Sequence, residues 1–262
     1  MALLRFDPSL ELGVLRRRYK RFFADVEMPD GSTVTVHCAN TGTMRGCSEP
    51  GSQVAISRHG GSGRKLAGRL ELVRADGVWI GVYPALANRL VAEGCALGRL
   101  DEWLSASAPD VAGGGGHAGK AATGQAGSLP ASVVRREVSV PGFASRFDLE
   151  LQSSGVSWLV EVKSVSWVEA GVGRFPDAKS TRARRHADEL AQLAERGQRV
   201  ALVFCVQRDD VDCVRPAWDV DPAYGHALQC AERAGVTLAA YRCSVALDGI
   251  VLTDRVPVDL IV

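Results

Sequence analysis

Three charged residues in one short stretch have the types and spacing that metal-assisted chemistry requires. Asp148 is followed after twelve residues by Glu161, and Lys163 comes two positions later. The chain around each acid alternates between apolar and polar residues, which is typical of half-buried strands. Because side chains switch faces with every residue of a strand, Glu161 and Lys163 are predicted to share one face. The polar break at residues 152–155 predicts a hairpin that brings Asp148 beside them.

The spacing Asp-x(12)-Glu-x-Lys is typical of metal-dependent cleavage of phosphodiester bonds. We predict that Asp148 and Glu161 bind Mg²⁺ or Mn²⁺, since Mg²⁺ prefers oxygen ligands and is held by one or two carboxylates. Such a metal is a Lewis acid and lowers the pKa of bound water. Lys163 is predicted to orient or deprotonate the attacking water, and Glu137 to be a further ligand or to orient one.

An ordinary cross-strand ion pair is the alternative interpretation of the same residues. Lys163 could simply pair with Asp148 or Glu161, and surface pairs of this kind contribute little to stability. The acids are expected at the centre of apolar-flanked strands, where partial desolvation favours a functional site. The spacing by itself is loose, so both interpretations stay open at this point.

A basic segment near the start of the chain is the first candidate for nucleic-acid binding. It has five cations in six positions and is followed by Phe22 and Phe23, which suits phosphate contacts and base stacking. The alternative is a solvated strand edge whose phenylalanines enter a core. The cations are Arg16, Arg17, Arg18, Lys20 and Arg21. A weaker second cluster surrounds a Gly-rich loop and comprises Arg58, Arg64, Lys65, Arg69 and Arg74.

A helix predicted at residues 181–196 carries the third group of cations in its first turns. Positive charge there opposes the helix dipole, and a bound phosphate would remove the conflict. The alternative is pairing with the acids Asp177, Asp188 or Glu189. The residues predicted to contact nucleic acid are Arg182, Arg184, Arg185 and His186.

Three polar residues are further candidates. Asn40 and Thr41 lie in a polar, Gly-containing loop, where they could bind phosphate or hold an Asx turn, and the composition favours the turn. Gln207 follows a continuous apolar run at residues 200–206, which predicts a strand covered on both faces.

Bulk composition restricts the class of protein. The net charge of +1 gives no global field for polyanions, so nucleic-acid binding must depend on local basic patches. Seven cysteines without a CxxC pair predict reduced thiols in a cytoplasmic protein rather than a zinc ribbon. The start of the chain shows no signal-peptide pattern, and no apolar run is long enough for a membrane span, so no membrane partner is expected.

The element pattern predicts a two-domain α+β protein. Strands at 21–28, 32–38, 53–57, 66–73 and 78–82 predict a small OB-like barrel over residues 1–82. Residues 83–262 predict an α/β domain with a mixed central sheet. Its elements are a helix at 87–93 ending at Gly94, strands at 133–140, 200–206 and 236–245, the hairpin, a loop after Lys163 that contains residues 174–178, helices at 181–196 and 221–234, and an edge strand at 250–252. Residues 105–130 are rich in Gly, Ala and Ser and are predicted to be a flexible insertion.

Several stretches together resemble the sugar fermentation stimulation protein family of bacteria and archaea. The resemblance covers nearly the whole chain and breaks at the insertion. Two departures from the family pattern are Ala183 in place of a glycine and Tyr83 in place of an asparagine. The matching stretches are residues 15–26, 36–44, 145–148, 160–165, 175–178 and 221–224, and His186 with Glu189 and Leu190.

That resemblance implies an OB-like domain followed by a restriction-endonuclease-like domain similar to PD-(D/E)xK nucleases. Family members are described as non-specific DNA-binding proteins linked to the regulation of sugar metabolism, with nuclease activity inferred from the fold. The residues at the family's nuclease-like positions are Glu137, Asp148, Glu161 and Lys163.

Three hypotheses about function follow. The first is a cytoplasmic, Mg²⁺-dependent nuclease acting on DNA or RNA. The second is a non-catalytic, sequence-tolerant DNA-binding regulator of sugar (maltose) metabolism, and the third is an RNA-processing partner that uses the same site. The polymer, its strandedness, endo or exo action, and monomer or homodimer stay open.

Overall fold

A computed structural model of the chain describes residues 4–58, 66, 68–104 and 131–262. The insertion predicted at 105–130 lies outside the described residues, as do Arg64 and Lys65 of the second basic cluster. Two units follow one another along the chain. The first is a small barrel, and the second is a mixed sheet flanked by helices.

The barrel is built from short antiparallel strands. β4 pairs with β6 in parallel at His37 and Arg69, which closes β2 to β6 into a five-stranded barrel, and β7 extends it beside β6. This confirms the predicted OB-like fold. The strands, after a short β1 (Leu4–Arg5) that pairs elsewhere, are β2 (Glu11–Tyr19), β3 (Phe23–Glu27), β4 (Thr33–His37), β5 (Gln53–Arg58), β6 (Gly68–Ala75) and β7 (Val78–Gly81).

The barrel core explains which strands could be predicted from the sequence. Ala24 and Val26 of β3 point inward and pack with Ile56 and Leu15, so β3 alternates clearly. β2 was not predicted because three arginines dominate its second half. Leu15 is the residue of that half that packs into the barrel core. The predicted set of five strands therefore included β7 in place of β2.

The second unit has a seven-stranded sheet in the order β1-β16-β15-β13-β10-β9-β8. Pairs β10–β13 and β13–β15 are parallel and the others antiparallel, which confirms the predicted mixed sheet. A small second sheet has the order β11-β12-β14. The strands are β8 (Ser132–Ser139), β9 (Arg146–Ser153), β10 (Val156–Val165), β11 (Val168–Glu169), β12 (Val172–Phe175), β13 (Arg199–Val206), β14 (Cys213–Pro216), β15 (Thr237–Ala246) and β16 (Gly249–Val256).

Helices cover both faces of the large sheet. On one face α1 (Ala85–Ala96) and α2 (Asp101–Leu104) bury a core with Val160 and Val203. On the other face α3 (Thr181–Glu195) and α4 (Pro222–Arg233) bury a second core with Leu202 and Phe204. This double cover explains why β13 reads as one continuous apolar run.

Three predictions about local structure are wrong. The first helix does not end at Gly94, because that residue packs against Leu252 and leaves no room for a Cβ; α1 continues to Ala96. The segment before α3 is not only a loop, since it forms β11 and β12 against β14. Residues 250–252 are not an edge, because Leu4 pairs with Ile250 and Arg5 with Gly249, which makes β1 the edge strand.

A loop of the barrel at residues 40–44, which we call the docking loop, contacts the segment that precedes α3. The Asp177 carboxylate accepts hydrogen bonds from Met44 N at 3.0 Å and from Thr43 Oγ1 at 3.1 Å. Gly42 lies so close that a Cβ there would be 2.5 Å from Asp177 Oδ2. One carboxylate in the segment before α3 therefore anchors this loop of the barrel to the sheet domain.

We expect Gly42→Ala to destabilise the protein by about 1–3 kcal/mol, because the added methyl must displace the Asp177 carboxylate. The change should cost much less in an Asp177→Ala background, where the clashing group is absent. Urea unfolding of the four proteins in this cycle measures the difference. An equal cost in both backgrounds would contradict the docking contact.

Candidate functional site

The site begins where strands β9 and β10 stop pairing. Their ladder ends at Leu149 and Val160, and the Asp148 carboxylate lies just beyond it. Asp148 Oδ2 accepts a hydrogen bond from Val162 N at 2.8 Å, and Oδ1 accepts one from Asn88 Nδ2 at 2.7 Å. The backbone of β10 and the first turns of α1 therefore fix the orientation of this carboxylate.

Glu161 is buried on the α3 side of the sheet, with 3% of its surface exposed. Its Oε1 atom lies 2.5 Å from Lys163 Nζ and 2.5 Å from His186 Nδ1. Its Oε2 atom is buried and has no hydrogen-bond partner among the residues that the structure describes. The predicted common face of Glu161 and Lys163 is thus present, and their ion pair is buried rather than on the surface.

The two carboxyl groups differ in their affinity for a proton. Burial and, to a smaller extent, the charge of Glu161 raise the pKa of Asp148 from 3.8 to about 7. Burial would also raise the pKa of Glu161, but the hydrogen bond from His186 and the charge of Lys163 outweigh it, so this pKa is lowered from 4.5. Glu161 is therefore ionised at neutral pH, whereas Asp148, with a pKa of about 7, is only partly ionised there.

Glu137 lies apart from these residues. Its side chain is 62% exposed, and the nearest cation is Arg146, with an N–O distance of 3.9 Å. It forms no hydrogen bond with Asp148 or Glu161 in the described part of the chain. The structure thus brings Asp148, Glu161 and Lys163 together and leaves Glu137 on the surface of β8.

Most of the basic segment before β3 has partners within the barrel. Arg16 pairs with Glu27, and Arg17 pairs with Asp25. Arg18 donates to the carbonyls of Asn40 at 2.7 Å and Gly42 at 2.8 Å, so it holds the docking loop in place.

The tip of the β2–β3 hairpin carries the two remaining cations of that segment. Lys20 is exposed and forms no ion pair with a described residue. Arg21 donates to the Thr41 carbonyl at 2.7 Å and stays exposed. Neither Phe22, which is exposed, nor Phe23, which stacks on Tyr19, joins the barrel core. This tip is the part of the segment that remains available to a ligand.

The arginines of α3 are exposed and only loosely held. Arg182 Nε donates to His186 Nε2 and Arg185 Nε to Ser145 Oγ, each at 3.4 Å. Burial raises the pKa of Asp188, and the nearby charge of Arg184 opposes that shift. His186 itself is buried against Glu161, so its side chain does not face solvent as a nucleic-acid contact requires.

The acids that could have neutralised this helix are largely committed elsewhere. The Asp177 carboxylate binds the docking loop of the barrel. The Glu189 carboxylate accepts hydrogen bonds from Ala144 N at 3.2 Å and Ser145 N at 3.0 Å. The start of α3 therefore keeps an excess of positive charge at its surface.

A groove of about 290 Å³ separates the docking loop from the sheet domain, and Lys163 lines it. Arg21 and Thr41 contribute from the barrel, and Arg174 and Lys179 from the segment before α3. We call this cavity the interdomain groove. It is predominantly basic and leads to the amine that is paired with Glu161.

The remaining candidates lie around this groove. Asn40 is buried and its Oδ1 accepts from Gly42 N at 2.9 Å, which is the Asx turn that its composition favours. Gln207 is buried and donates to Ser164 Oγ at 2.8 Å and to the Tyr83 carbonyl at 3.3 Å. Asn40 lines the groove, whereas Gln207 supports its wall through the hydrogen bond to Ser164.

Asn88 was not predicted as a site residue. It binds Asp148 from α1, sixty positions earlier in the chain, and no spacing signal links the two. Of the two departures from the family pattern, Ala183 lies in a regular first turn and donates its N–H to Ser180 Oγ. The ring of Tyr83 lies 4.0 Å below the guanidinium of Arg69.

Two features are absent from the described residues. These residues contain no group of three or more His, Cys, Asp or Glu side chains placed to hold a metal ion. None of their helices is long and apolar enough to cross a membrane. All seven cysteines are free thiols.

Fold and site together define a two-domain protein in which an OB barrel docks on a restriction-endonuclease-like sheet. The family models for the SfsA N-terminal OB domain and the sugar fermentation stimulation protein RE domain match residues 17–82 and 118–249. The chain belongs to the sugar fermentation stimulation protein family. This confirms the resemblance inferred from its sequence motifs.

Relatives support this over nearly the full length. A sugar fermentation stimulation protein homolog of Geobacter sulfurreducens is 42% identical over 246 residues, covering 94% of each chain. One of Alkalilimnicola ehrlichii is 44% identical over 258 residues, covering 97% of this chain and 98% of the relative. The structure of Pyrococcus furiosus SfsA in complex with Ca²⁺ superposes with a TM-score of 0.81 at 23% identity and covers 99% of both chains.

We expect Asp148→Asn to stabilise the protein at pH 8 in the presence of EDTA. The folded pKa of about 7 lies above the unfolded value of 3.8, so ionising Asp148 costs stability, increasingly from pH 4 to 7. The gain should be about 2–4 kcal/mol at pH 8 and clearly smaller at pH 5, as measured by urea unfolding. The exposed Asp248→Asn is the control. A gain that does not depend on pH would contradict the buried, protonatable Asp148.

Proposed function

We propose that the protein is a divalent-metal-dependent nuclease that cleaves phosphodiester bonds of DNA or RNA. The observation that carries the proposal is the buried carboxyl pair Asp148 and Glu161, whose pKa values are shifted in opposite directions. The pair lies where the β9–β10 ladder ends. Lys163 connects this pair to a basic groove between two domains. A carboxyl whose pKa is strongly raised next to a cleft, as that of Asp148 is, is characteristic of functional sites.

The residues present fit a divalent cation. Glu161 Oε2 is buried without a hydrogen-bond donor in the described structure, and a metal ion would satisfy it. Asp148 and Glu161 are the ligands we assign. Two carboxylates suffice for Mg²⁺ or Mn²⁺, because Mg²⁺ usually keeps several waters. When bound, the ion would supply Lewis acidity and activate a water molecule.

The protein's own groups position the reacting partners. Asn88 and the Val162 amide hold Asp148 in one orientation, and His186 holds Glu161. Lys163 places its charge at the groove, where it stabilises negative charge that develops on a phosphate. Asp148 must lose its proton to act as a ligand, so metal affinity should rise as the pH passes about 7.

The groove supports a nucleic acid as substrate. Arg21, Arg174 and Lys179 line it together with Lys163. The exposed arginines of α3 follow directly in the chain after its last lining residue, Ser180. The related Pyrococcus furiosus protein was obtained in complex with Ca²⁺, which like Mg²⁺ takes oxygen ligands. This likeness favours a hard divalent cation as the metal of the present chain.

Cleavage is tested with labelled single- and double-stranded DNA and RNA, in Mg²⁺, in Mn²⁺ and in EDTA. We expect metal-dependent cleavage by the wild type and a loss of about 100-fold or more in Asp148→Asn, Glu161→Gln and Lys163→Met. Glu150→Gln is the matched control, because Glu150 lies on the same strand but binds Arg135 and Ser157. Circular dichroism checks that each variant is folded.

Two results would contradict the nuclease. Cleavage that persists in all three site variants would indicate a contaminant. Absence of cleavage on every polymer, together with salt-dependent binding, would favour the non-catalytic DNA-binding regulator. The contacts of Lys163 and His186 with Glu161 Oε1 are the observation compatible with that second candidate.

Binding itself should depend more on the unpaired groove cation Lys179 than on the paired arginines of the barrel. Lys179→Gln is expected to reduce the salt slope of binding by about 1, since it removes one phosphate contact. Arg16→Gln should change the slope less, because Arg16 already pairs with Glu27. Fluorescence anisotropy at a series of salt concentrations measures both. Equal slopes for Lys179→Gln and wild type would exclude Lys179 from the interface.

A further inference from the structure

A second basic cavity lies away from the interdomain groove. It has a volume of about 280 Å³ and lies where the N-terminal segment, strands β5 and β6 and the start of α1 meet. We call it the arginine cavity. Its charged lining residues are Arg5, Arg58, Arg69, Arg89, Asp7 and Glu71.

Two of its four arginines are available to an anion. Arg58 pairs with Glu11, and Arg69 pairs with Glu71. Arg5 and Arg89 are exposed and form no ion pair with any residue in the described ranges. Two guanidinium groups without carboxylate partners in a concave site suit a phosphate, which they can bind with paired hydrogen bonds.

A buried acid supplies a second, independent observation. Glu71 is 1% exposed, and its Oε1 atom accepts from Ser57 Oγ at 2.7 Å and Arg69 Nε at 2.8 Å. Its Oε2 atom is buried and lacks a hydrogen-bond partner among the described residues. A buried carboxylate oxygen without a donor is costly, so a ligand hydroxyl that donates to it would be stabilising.

We propose that the arginine cavity binds a small phosphomonoester that carries hydroxyl groups. Arg5 and Arg89 hold the phosphate, and Glu71 Oε2 accepts a hydrogen bond from a hydroxyl. The cavity is close to the lower limit of about 300 Å³ for small-molecule sites, which suits a ligand of this size. The site is independent of the nuclease proposal, since none of its residues belongs to the carboxylate pair.

The test is isothermal titration of the full-length protein with ribose 5-phosphate, inorganic phosphate and ribose. Ribose 5-phosphate should bind at least about tenfold more tightly than phosphate, and ribose should not bind. Arg5→Gln and Arg89→Gln should each weaken ribose 5-phosphate about tenfold. Glu71→Gln should remove the preference for ribose 5-phosphate while phosphate still binds.

Controls separate this cavity from other basic surfaces. Arg74→Gln on the same strand β6 and Lys179→Gln in the interdomain groove should leave the affinity unchanged. Thermal unfolding of each variant shows whether it is folded. If Glu71→Gln does not fold, Arg89→Gln still tests the cavity, because Arg89 is exposed and its replacement should not disturb the core. Absence of binding by ribose 5-phosphate would overturn the proposal, as would equal affinities for ribose 5-phosphate and phosphate.

The 5′ end of a nucleic-acid strand is another ligand that carries both a phosphate and a sugar. A 5′-phosphorylated oligonucleotide could present its terminal phosphate and sugar to the arginines. If it displaces ribose 5-phosphate and its 5′-hydroxyl counterpart does not, the cavity binds strand ends and the small-molecule assignment is wrong. If neither oligonucleotide competes, the small phosphomonoester is supported.

Discussion

The buried contact of Glu161 with Lys163 and His186 is the constraint on which the site depends. A carboxylate with 3% exposure is tolerated only because two donors meet one of its oxygens. The other oxygen is left without a partner in the described structure. This arrangement keeps Glu161 ionised, and the resulting charge, together with burial, raises the pKa of Asp148 to about 7. The buried cluster of Glu161, Lys163 and His186 therefore influences the protonation of both Glu161 and Asp148.

The architecture around that cluster determines what can reach it. Parallel pairing of β10 with β13 buries Glu161, while the early end of the β9–β10 ladder leaves room for the Asp148 carboxylate. The barrel closes the other side through its docking loop, which Arg18 holds and Asp177 anchors. Several cations that look suited to phosphate are therefore occupied by the fold. Lys179, which forms no ion pair with a described residue, lines the groove.

The sequence revealed the parts of this protein that repeat a local pattern. Alternation predicted the hairpin and the common face of Glu161 and Lys163, and the apolar run predicted β13. Contacts between distant segments could not be predicted in this way. Asn88 reaches Asp148 across sixty positions, and β2 was hidden because its outward residues are arginines. His186 looked like a surface cation, since the helix pattern did not reveal that its side chain lies over Glu161.

The most direct measurement is anomalous diffraction from crystals of the protein grown with Mn²⁺ at pH 8. We expect one strong anomalous peak within about 2.5 Å of carboxylate oxygens of both Asp148 and Glu161. Glu161 Oε2 should be one of these ligands, and the peak should be absent from Asp148→Asn crystals. A peak elsewhere, or a Glu161 contacted only by Lys163 and His186 at saturating Mn²⁺, would contradict a metal-dependent site.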